Sequence, residues 1–416
     1  MKLLVVSIDA MFTSDLSRLQ SRPGLASLWK HCLTVRDLRT VYPALTYPCH
    51  VSILSGNPPA VHGIYQNLEC VPNAVYKNWK WYYQDVKCET LFDYIHQAGM
   101  RSASVFWPVS ANAPVDYLVP EIWSYTGDPV DIILNTSGGA VDHIIQRHRE
   151  DVDFTSKFKL DRFAKNCAVD IVDEFDPDVL FLHFSLVDNT RHRYGIHHPR
   201  VEDALDQCAV WLEEVLSHIN RKTPTDQLAV AVLGDHGHLN CRGCLSMNRL
   251  FAQRGWISDP LPDTLETCRV FCHAAGISAQ VYVNDQTLRN EVEDLFSKLK
   301  TEGWLLDWYP KTTVEQWGLS GPFDYVLEGG DGYYFVDAIK ERFFTETRAV
   351  DGGPFIGKHG HCPLRGEKPP FVLSWSQLEN QELQDKSVLD IAPTLCELFH
   401  LPHETMQGES LLHLNK

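Results

Sequence analysis

Residues 228–238 read Leu-Ala-Val-Ala-Val-Leu-Gly-Asp-His-Gly-His. An apolar run of this length, cut off by glycine and then by two metal- or proton-binding side chains, suits a strand buried on both faces of a parallel sheet. The pattern occurs twice more. Leu3 to Ile8 ends at Asp9, and Val179 to Val187 ends at Asp188. Between these runs lie helical repeats. Phe163, Cys167, Ala168, Ile171, Val172 and Phe175 recur at three- and four-residue steps. So do Val201, Ala204, Leu205, Cys208, Trp211, Leu212, Val215, Leu216 and Ile219. Strands alternating with helices predict an α/β fold: a doubly wound, mostly parallel sheet with helices on both faces. Ligands of such sheets bind beyond the carboxyl ends of the strands. Here three of those ends carry an aspartate.

The stretch 262–355 has a different texture. Gln280 to Val283 reads as a short strand and Gln286 to Thr301 as an amphipathic helix. Trp304 to Tyr309 and Tyr325 to Phe335 read as further strands around Gly329-Gly330-Asp331-Gly332. This predicts a small α+β insertion at 262–355, set into a core formed by 1–261 and 356–416. From Phe371 the chain returns to a strand and then a helix around Val388 to Phe399. A length of 416 residues accommodates two or three units, or one large α/β domain with an insertion.

Composition excludes several classes. Hydrophobic residues at 44% and charged residues at 22% exclude a disordered or fibrous chain. A formal net charge of −17, with no run of Lys or Arg, opposes binding to nucleic-acid polymers and to acidic membranes. An anionic substrate would need bound cations to hold it. No segment approaches the ~18–20 apolar residues of a membrane span. Met1 to Asp9 reads as a strand and not as an export signal. The twelve cysteines are too dilute for a disulfide scaffold and read as reduced thiols, which predicts a cytoplasmic protein.

The chemistry gathers at the predicted strand ends. Asp188 and His192 are four apart and share one helical face. Asp235 and His236 are adjacent, and His359 and His361 lie in the glycine-flanked Gly357-Lys358-His359-Gly360-His361. Each has an ordinary structural reading alone, such as a helix cap for Asp9. Together with Asp9 they form a mixed oxygen and nitrogen set large enough for two metal ions, of the kind that suits zinc, with manganese or iron as alternatives.

A further stretch runs from Thr40-Val41-Tyr42-Pro43-Ala44-Leu45-Thr46-Tyr47-Pro48-Cys49-His50 to Val61-His62-Gly63-Ile64-Tyr65-Gln66-Asn67. With it, the chain resembles the nucleotide pyrophosphatase/phosphodiesterase branch of the alkaline phosphatase superfamily. The motifs that carry the resemblance occur in the family's order: an Asp after the first strand, Thr-aromatic-Pro, His-Gly-Ile and then Asn, Asp-x-x-x-His, Asp-His-Gly and a late His-Gly. Leu389-Asp390-Ile391-Ala392-Pro393-Thr394 and Gly408-Glu409-Ser410-Leu411 resemble the superfamily's closing helix and turn. The resemblance spans nearly the whole chain and is weakest at 70–165 and 262–355.

The resemblance implies an alkaline-phosphatase-like fold and a role for each matching residue. Thr46 would be the nucleophile. Asp188, His192 and His359 would hold one zinc, and Asp9, Asp235 and His236 with the Thr46 oxygen would hold the other. Asn67 would donate to a non-bridging phosphate oxygen, and Tyr47 would stack on a flat group of a small phosphate-ester substrate. The chemistry is coherent, because a Thr hydroxyl needs activation. Two metals about 4 Å apart can stabilise the attacking and leaving oxygens of an in-line displacement. The predicted reaction is hydrolysis of a phosphodiester or pyrophosphate through a phospho-threonine. A carbon–phosphorus hydrolase resembling phosphonoacetate hydrolase and a phosphomonoesterase are the alternatives. Lys77, Lys80 and Lys87 are candidates for the extra cation that either alternative requires.

The chain also departs from the family. Arg191 stands where Gly commonly precedes the metal-binding His, and His238 and His361 are unusual at their positions. His361 competes with His359 as a ligand, and His359 is preferred for its place directly before Gly360. His50 replaces the Arg of the sulfatase motif, which argues against sulfate esters. Cys241 and Cys244 form a CxxC that reads as ordinary thiols, a metal site or a redox pair. Trp79, Trp81, Tyr82 and Tyr83 read as packing or a partner surface ahead of a substrate pocket.

Overall fold

The computed structural model describes residues 1–74, 76–347 and 356–412, and in it the three apolar runs lie side by side. Strand β1 (Lys2–Ile8) is the centre of an eight-stranded sheet. It pairs in parallel with β5 (Val179–Phe184) on one side and β6 (Leu228–Leu233) on the other. Beyond β5 come β3 (Ser102–Val105) and the edge strand β4 (Tyr117–Val119), both parallel. Beyond β6 lies Phe371–Ser374, antiparallel to β6 and to its next neighbour β2 (Cys32–Val35). The short strand Gln381–Leu383 closes that edge.

Both faces of the sheet are covered, which is why its central strands are almost continuously apolar, with Ser7 of β1 and His183 of β5 as interruptions. Leu4, Val6 and Ile8 of β1 pack with helices Lys157–Phe175 and Pro199–Asn220. Leu3 and Val5 face helices Thr46–Ser55 and Ile391–Leu398. All nine residues of the 201–219 pattern are buried. The predicted run Val179–Val187 ends as a strand at Phe184. The buried Asp161 carboxylate accepts from the amides of Ser185 (3.1 Å) and Leu186 (2.8 Å). Anchored there, the chain turns into helix Leu186–Tyr194, which carries Asp188 and His192.

Within 262–355 a second, antiparallel sheet has the order Leu305–Pro310, Tyr325–Gly329, Ser278–Val283, Val270–Ala275. Val292, Leu295, Phe296 and Leu299 of helix Arg289–Thr301 belong to the apolar cluster of this sheet. The helix starts later than its pattern suggested, because Asp285 caps a 3-10 turn at Gln286–Leu288. The run Tyr325–Phe335 is two strands. The second, Tyr333–Phe335, leaves the sheet and pairs with Gly243–Leu245. The last part of this stretch, 348–355, lies outside the described residues. Among the described residues no helix is long and apolar enough to cross a membrane.

Candidate active site and metal centre

The ends of β1, β5 and β6 meet at one rim of the large sheet. The Asp9 amide donates to Phe184 O (2.8 Å), and the Ala10 amide donates to Asp235 Oδ1 (2.9 Å), so the three loops are tied together. Gly234 makes this approach possible, since a Cβ there would stand 2.2 Å from Met11 O.

One oxygen of Asp235 is thereby satisfied. Its Oδ2 is buried without a hydrogen-bond partner, as is Asp9 Oδ1. Both face one imidazole nitrogen: His236 Nε2 lies 3.4 Å from Asp9 Oδ1 and 3.3 Å from Asp235 Oδ2. The same nitrogen is 3.1 Å from Thr46 Oγ1. Burial, and then the neighbouring charges of Asp235 and Asp188, hold the Asp9 carboxyl well above its usual range. Two buried, facing carboxylates with unmet oxygens call for a cation, because an uncompensated buried charge costs several kcal/mol. The residues present fit a divalent metal, to be held by Asp9, Asp235, His236 and Thr46.

A second set converges on Asp188. Its Oδ1 lies 3.4 Å from His192 Nε2 and 3.8 Å from His359 Nε2. His192 Nδ1 donates to Gly357 O (2.7 Å) and His359 Nδ1 to Ala44 O (3.2 Å), which leaves each Nε2 lone pair turned inward. Burial keeps these rings neutral, the state a ligand needs: His192 is held at about 3, and His236 and His359 well below their ordinary value. Candidate ligand atoms of Asp188, His192, His238 and His359 lie within 4.8 Å of one another, as do those of Asp9, Asp188 and His236. Asp188 is common to both groups.

The structure therefore brings together every predicted metal-binding residue and Thr46. It also adds His238, whose signal in the sequence was the His-x-His spacing from His236. His361 is buried elsewhere, with Nε2 against Arg365 O (3.1 Å), and belongs to neither group. Arg191 turns away from the site, its guanidinium over the Phe12 ring (3.4 Å to the centroid) and paired with Asp15 (2.6 Å). His50 supports Thr46 from behind, donating from Nδ1 to Thr46 O and accepting from Ser7 Oγ at Nε2, both at 2.8 Å. Cys241 and Cys244 pack with Ile277 and Tyr334, and no ligand group among the described residues includes either thiol.

Above the rim opens a chamber of about 510 Å³. Asn67 stands in its wall. Asn67 Oδ1 accepts from the Tyr47 amide (3.0 Å), which leaves the Nδ2 donors without a partner among the described residues. Tyr47 borders the chamber but is wholly buried, its ring against Trp79 at 5.3 Å. A base could stack on Tyr47 only after Trp79 moved, so the expectation for Tyr47 shifts to other rings. Trp79, Trp123, Tyr125 and Phe154 line the chamber, Trp79 and Trp123 edge to face at 4.9 Å. Trp79, read above as packing or a partner surface, is chamber wall.

The cations of the chamber are Lys157 and Lys358. Lys77 pairs with Asp337, Lys80 lies 3.9 Å from Glu69, and neither these nor Lys87 line it. Glu121 also lines the chamber, and burial pushes its carboxyl up to about 7.

Residues 3–360 match the family model described as type I phosphodiesterase/nucleotide pyrophosphatase. Human ectonucleotide pyrophosphatase/phosphodiesterase family member 1 is 31% identical over 115 residues, covering 25% of this chain and 12% of that protein. Human family member 7 is 22% identical over 244 residues, covering 57% of this chain and 47% of that protein. The matched segments thus span less than half the length of these curated relatives. Murine ectonucleotide pyrophosphatase/phosphodiesterase 5 shares the fold, with a TM-score of 0.66 at 16% identity over 98% of both chains. Its inactive threonine-to-alanine form in complex with AMP superposes equally, covering 98% and 97%. Phosphonoacetate hydrolase from Sinorhizobium meliloti 1021, in complex with phosphonoformate, gives a TM-score of 0.66 at 19% identity over 94% of both chains.

Proposed function

The chain belongs to the type I phosphodiesterase/nucleotide pyrophosphatase family of the alkaline phosphatase superfamily, and on that premise we propose that it is a two-metal hydrolase of small nucleotide-like phosphodiesters and pyrophosphates, acting through a phospho-threonine. The observation that carries the reading is the meeting of Thr46 Oγ1 with His236 Nε2 beside the two unmet oxygens of Asp9 and Asp235.

Thr46 is the first residue of helix Thr46–Ser55, so an anion at its hydroxyl also meets the positive end of a ten-residue helix. Its hydroxyl gives up its proton to solvent, the oxygen attacks phosphorus, the bond to the leaving oxygen breaks in line, with that oxygen taking a proton from solvent, and the phosphorus stays on Thr46 with its retained ester group. Water then attacks phosphorus, the bond to Oγ1 breaks, and Thr46 recovers its proton. Asn67 Nδ2 donates to a non-bridging oxygen throughout. Bound zinc ions would lower the proton affinity of the Thr46 hydroxyl and neutralise the charge that develops on phosphorus. Manganese and iron are the alternatives that this donor set accepts.

The aromatic walls support a substrate with a flat ring. Lys157 and Lys358 support a second anionic group, which favours a pyrophosphate over a simple dialkyl diester. The same lysines support the second reading, a phosphonoacetate hydrolase in which they would meet a carboxylate. The test is a rate comparison with zinc added, between a nucleoside 5′-(p-nitrophenyl) phosphate, bis-p-nitrophenyl phosphate, p-nitrophenyl phosphate and phosphonoacetate. The nucleotide diester should be fastest. Phosphonoacetate as the best substrate would transfer the assignment to the second reading.

A further inference from the structure

We propose that His238 is a positioning residue for Asp188, donating a hydrogen bond to Asp188 Oδ1, and that it is not itself a ligand although it stands within the cluster of possible ligands. The inference rests on the two-metal reading above.

Two observations separate His238 from its neighbours. The first is distance. Two ligand atoms each ~2.0–2.1 Å from a tetrahedral zinc lie ~3.3 Å apart. His192 Nε2 is 3.4 Å from Asp188 Oδ1, and His359 Nε2 is 3.8 Å away, the separations of groups sharing an ion. His238 Nε2 is 2.7 Å from the same oxygen, the length of a charge-assisted hydrogen bond. The second is the opposite ring nitrogen. His192 and His359 each have a backbone carbonyl at Nδ1 to hold the proton there, against Gly357 O and Ala44 O. His238 Nδ1 is buried and has no partner among the described residues. A proton at Nδ1 would be an unmet buried donor, whereas at Nε2 it is satisfied by Asp188. The tautomer with Nε2–H is therefore the favoured one, and it has no lone pair aimed at the metal.

The consequence is specific. Asp188 takes part in both ligand groups, and one of the Oδ1 lone pairs is committed to His238, which fixes the direction of the other. His238 is fully buried, so water does not compete for this bond.

The experiment is metal titration and cobalt spectroscopy of the full chain as wild type, His238→Gln and His238→Met, with circular dichroism to verify folding. Gln keeps a donor near the position of Nε2, and Met fills the space with none. The wild type should take up two cobalt ions per chain. His238→Gln should keep the wild-type visible cobalt spectrum and an affinity within about threefold, while His238→Met should bind about 10–100-fold more weakly, the usual effect of losing a partner of a ligand. A changed cobalt spectrum in a folded His238→Gln would show that an imidazole ligand had been removed, and would overturn the proposal. Wild-type affinity in His238→Met would also overturn it. A wild type that takes up no metal would instead sink the functional reading on which the proposal rests.

Discussion

Thr46 has its hydroxyl against His236 and its carbonyl against His50, so its side-chain oxygen is aimed from two directions. Thr46→Ala should lower turnover by several orders of magnitude, while Thr46→Ser should retain part of it, since the hydroxyl survives. Acid quenching of a reaction with a nucleotide diester, followed by mass spectrometry, should trap a Thr46 peptide heavier by the nucleotidyl group in the wild type and none in the alanine variant. Glu121 gives a second residue-level test. Burial raises its carboxyl from 4.5 to about 7, so the metal-free folded state holds a proton that the unfolded chain releases. Stability is lost as pH rises from about 4.5 through about 7, by at most ~3 kcal/mol. Glu121→Gln should abolish that loss. Melting temperatures of the chelated proteins at pH 5 and pH 8 check the sign, and a larger pH dependence in the variant would refute it. Asp9, Asp188 and Asp235 were legible in the sequence because each ends an apolar run, the imprint of a buried strand reaching the sheet's rim, while His192 was read from its spacing to Asp188 and His359 from the family resemblance of its glycine-flanked loop. The roles of Trp79 and His238 were not. They depend on which ring stands in front of which, and on a 2.7 Å contact between residues fifty positions apart.

At the scale of elements, the loop that carries His359 is held by backbone on both sides. Gly360 N donates to Ala44 O (2.8 Å), and Ile277 N donates to His359 O (2.9 Å). Gly360 has φ +87°, and a Cβ there would lie 1.8 Å from Ala275 O. Gly360→Ala should therefore cost about 1–3 kcal/mol of stability and should weaken metal binding as His359 is displaced. Urea unfolding and metal titration measure the two effects. Wild-type metal affinity would show that the loop is not what holds the ligand. The stretch around Trp79 and the one carrying Trp123 supply the chamber's facing rings. Trp79→Ala and Trp123→Ala should each weaken transition-state binding of nucleotide diesters by ~1–3 kcal/mol, the magnitude of base stacking on an aromatic. Small dialkyl diesters should be nearly unaffected, and equal losses for both substrates would make the rings structural. Periodicity disclosed the long helices, because in helices of nineteen and twenty-two residues one buried face repeats often enough to be read. It failed at element ends. Asp161 ends β5 from twenty-four residues away, and Tyr333–Phe335 leaves its sheet for a partner ninety residues earlier.

At the scale of the molecule, the proposed metal-binding residues come from five separated segments, at Asp9, Thr46, Asp188 with His192, Asp235 with His236, and His359. An ion bound among them ties together loops that the unfolded chain does not hold close. Metal should stabilise the native state by about 2.7 kcal/mol at a free concentration one hundred times its dissociation constant. Chelation should lower the melting temperature, and zinc should restore it. A melting temperature indifferent to both would mean that no metal joins these segments. The large sheet has a related dependence on remote sequence. Phe371–Ser374 is the strand that joins β2 to β6, and neither of those touches the other without it. During synthesis β2 emerges early, and its partner follows on the order of 20 to 70 s later at ribosomal speeds. From the emergence of β6 until then, β2 and β6 each present an open hydrogen-bonding edge, the kind that recruits stray strands. The large sheet can therefore close only late in synthesis, once this keystone strand between β2 and β6 has been made.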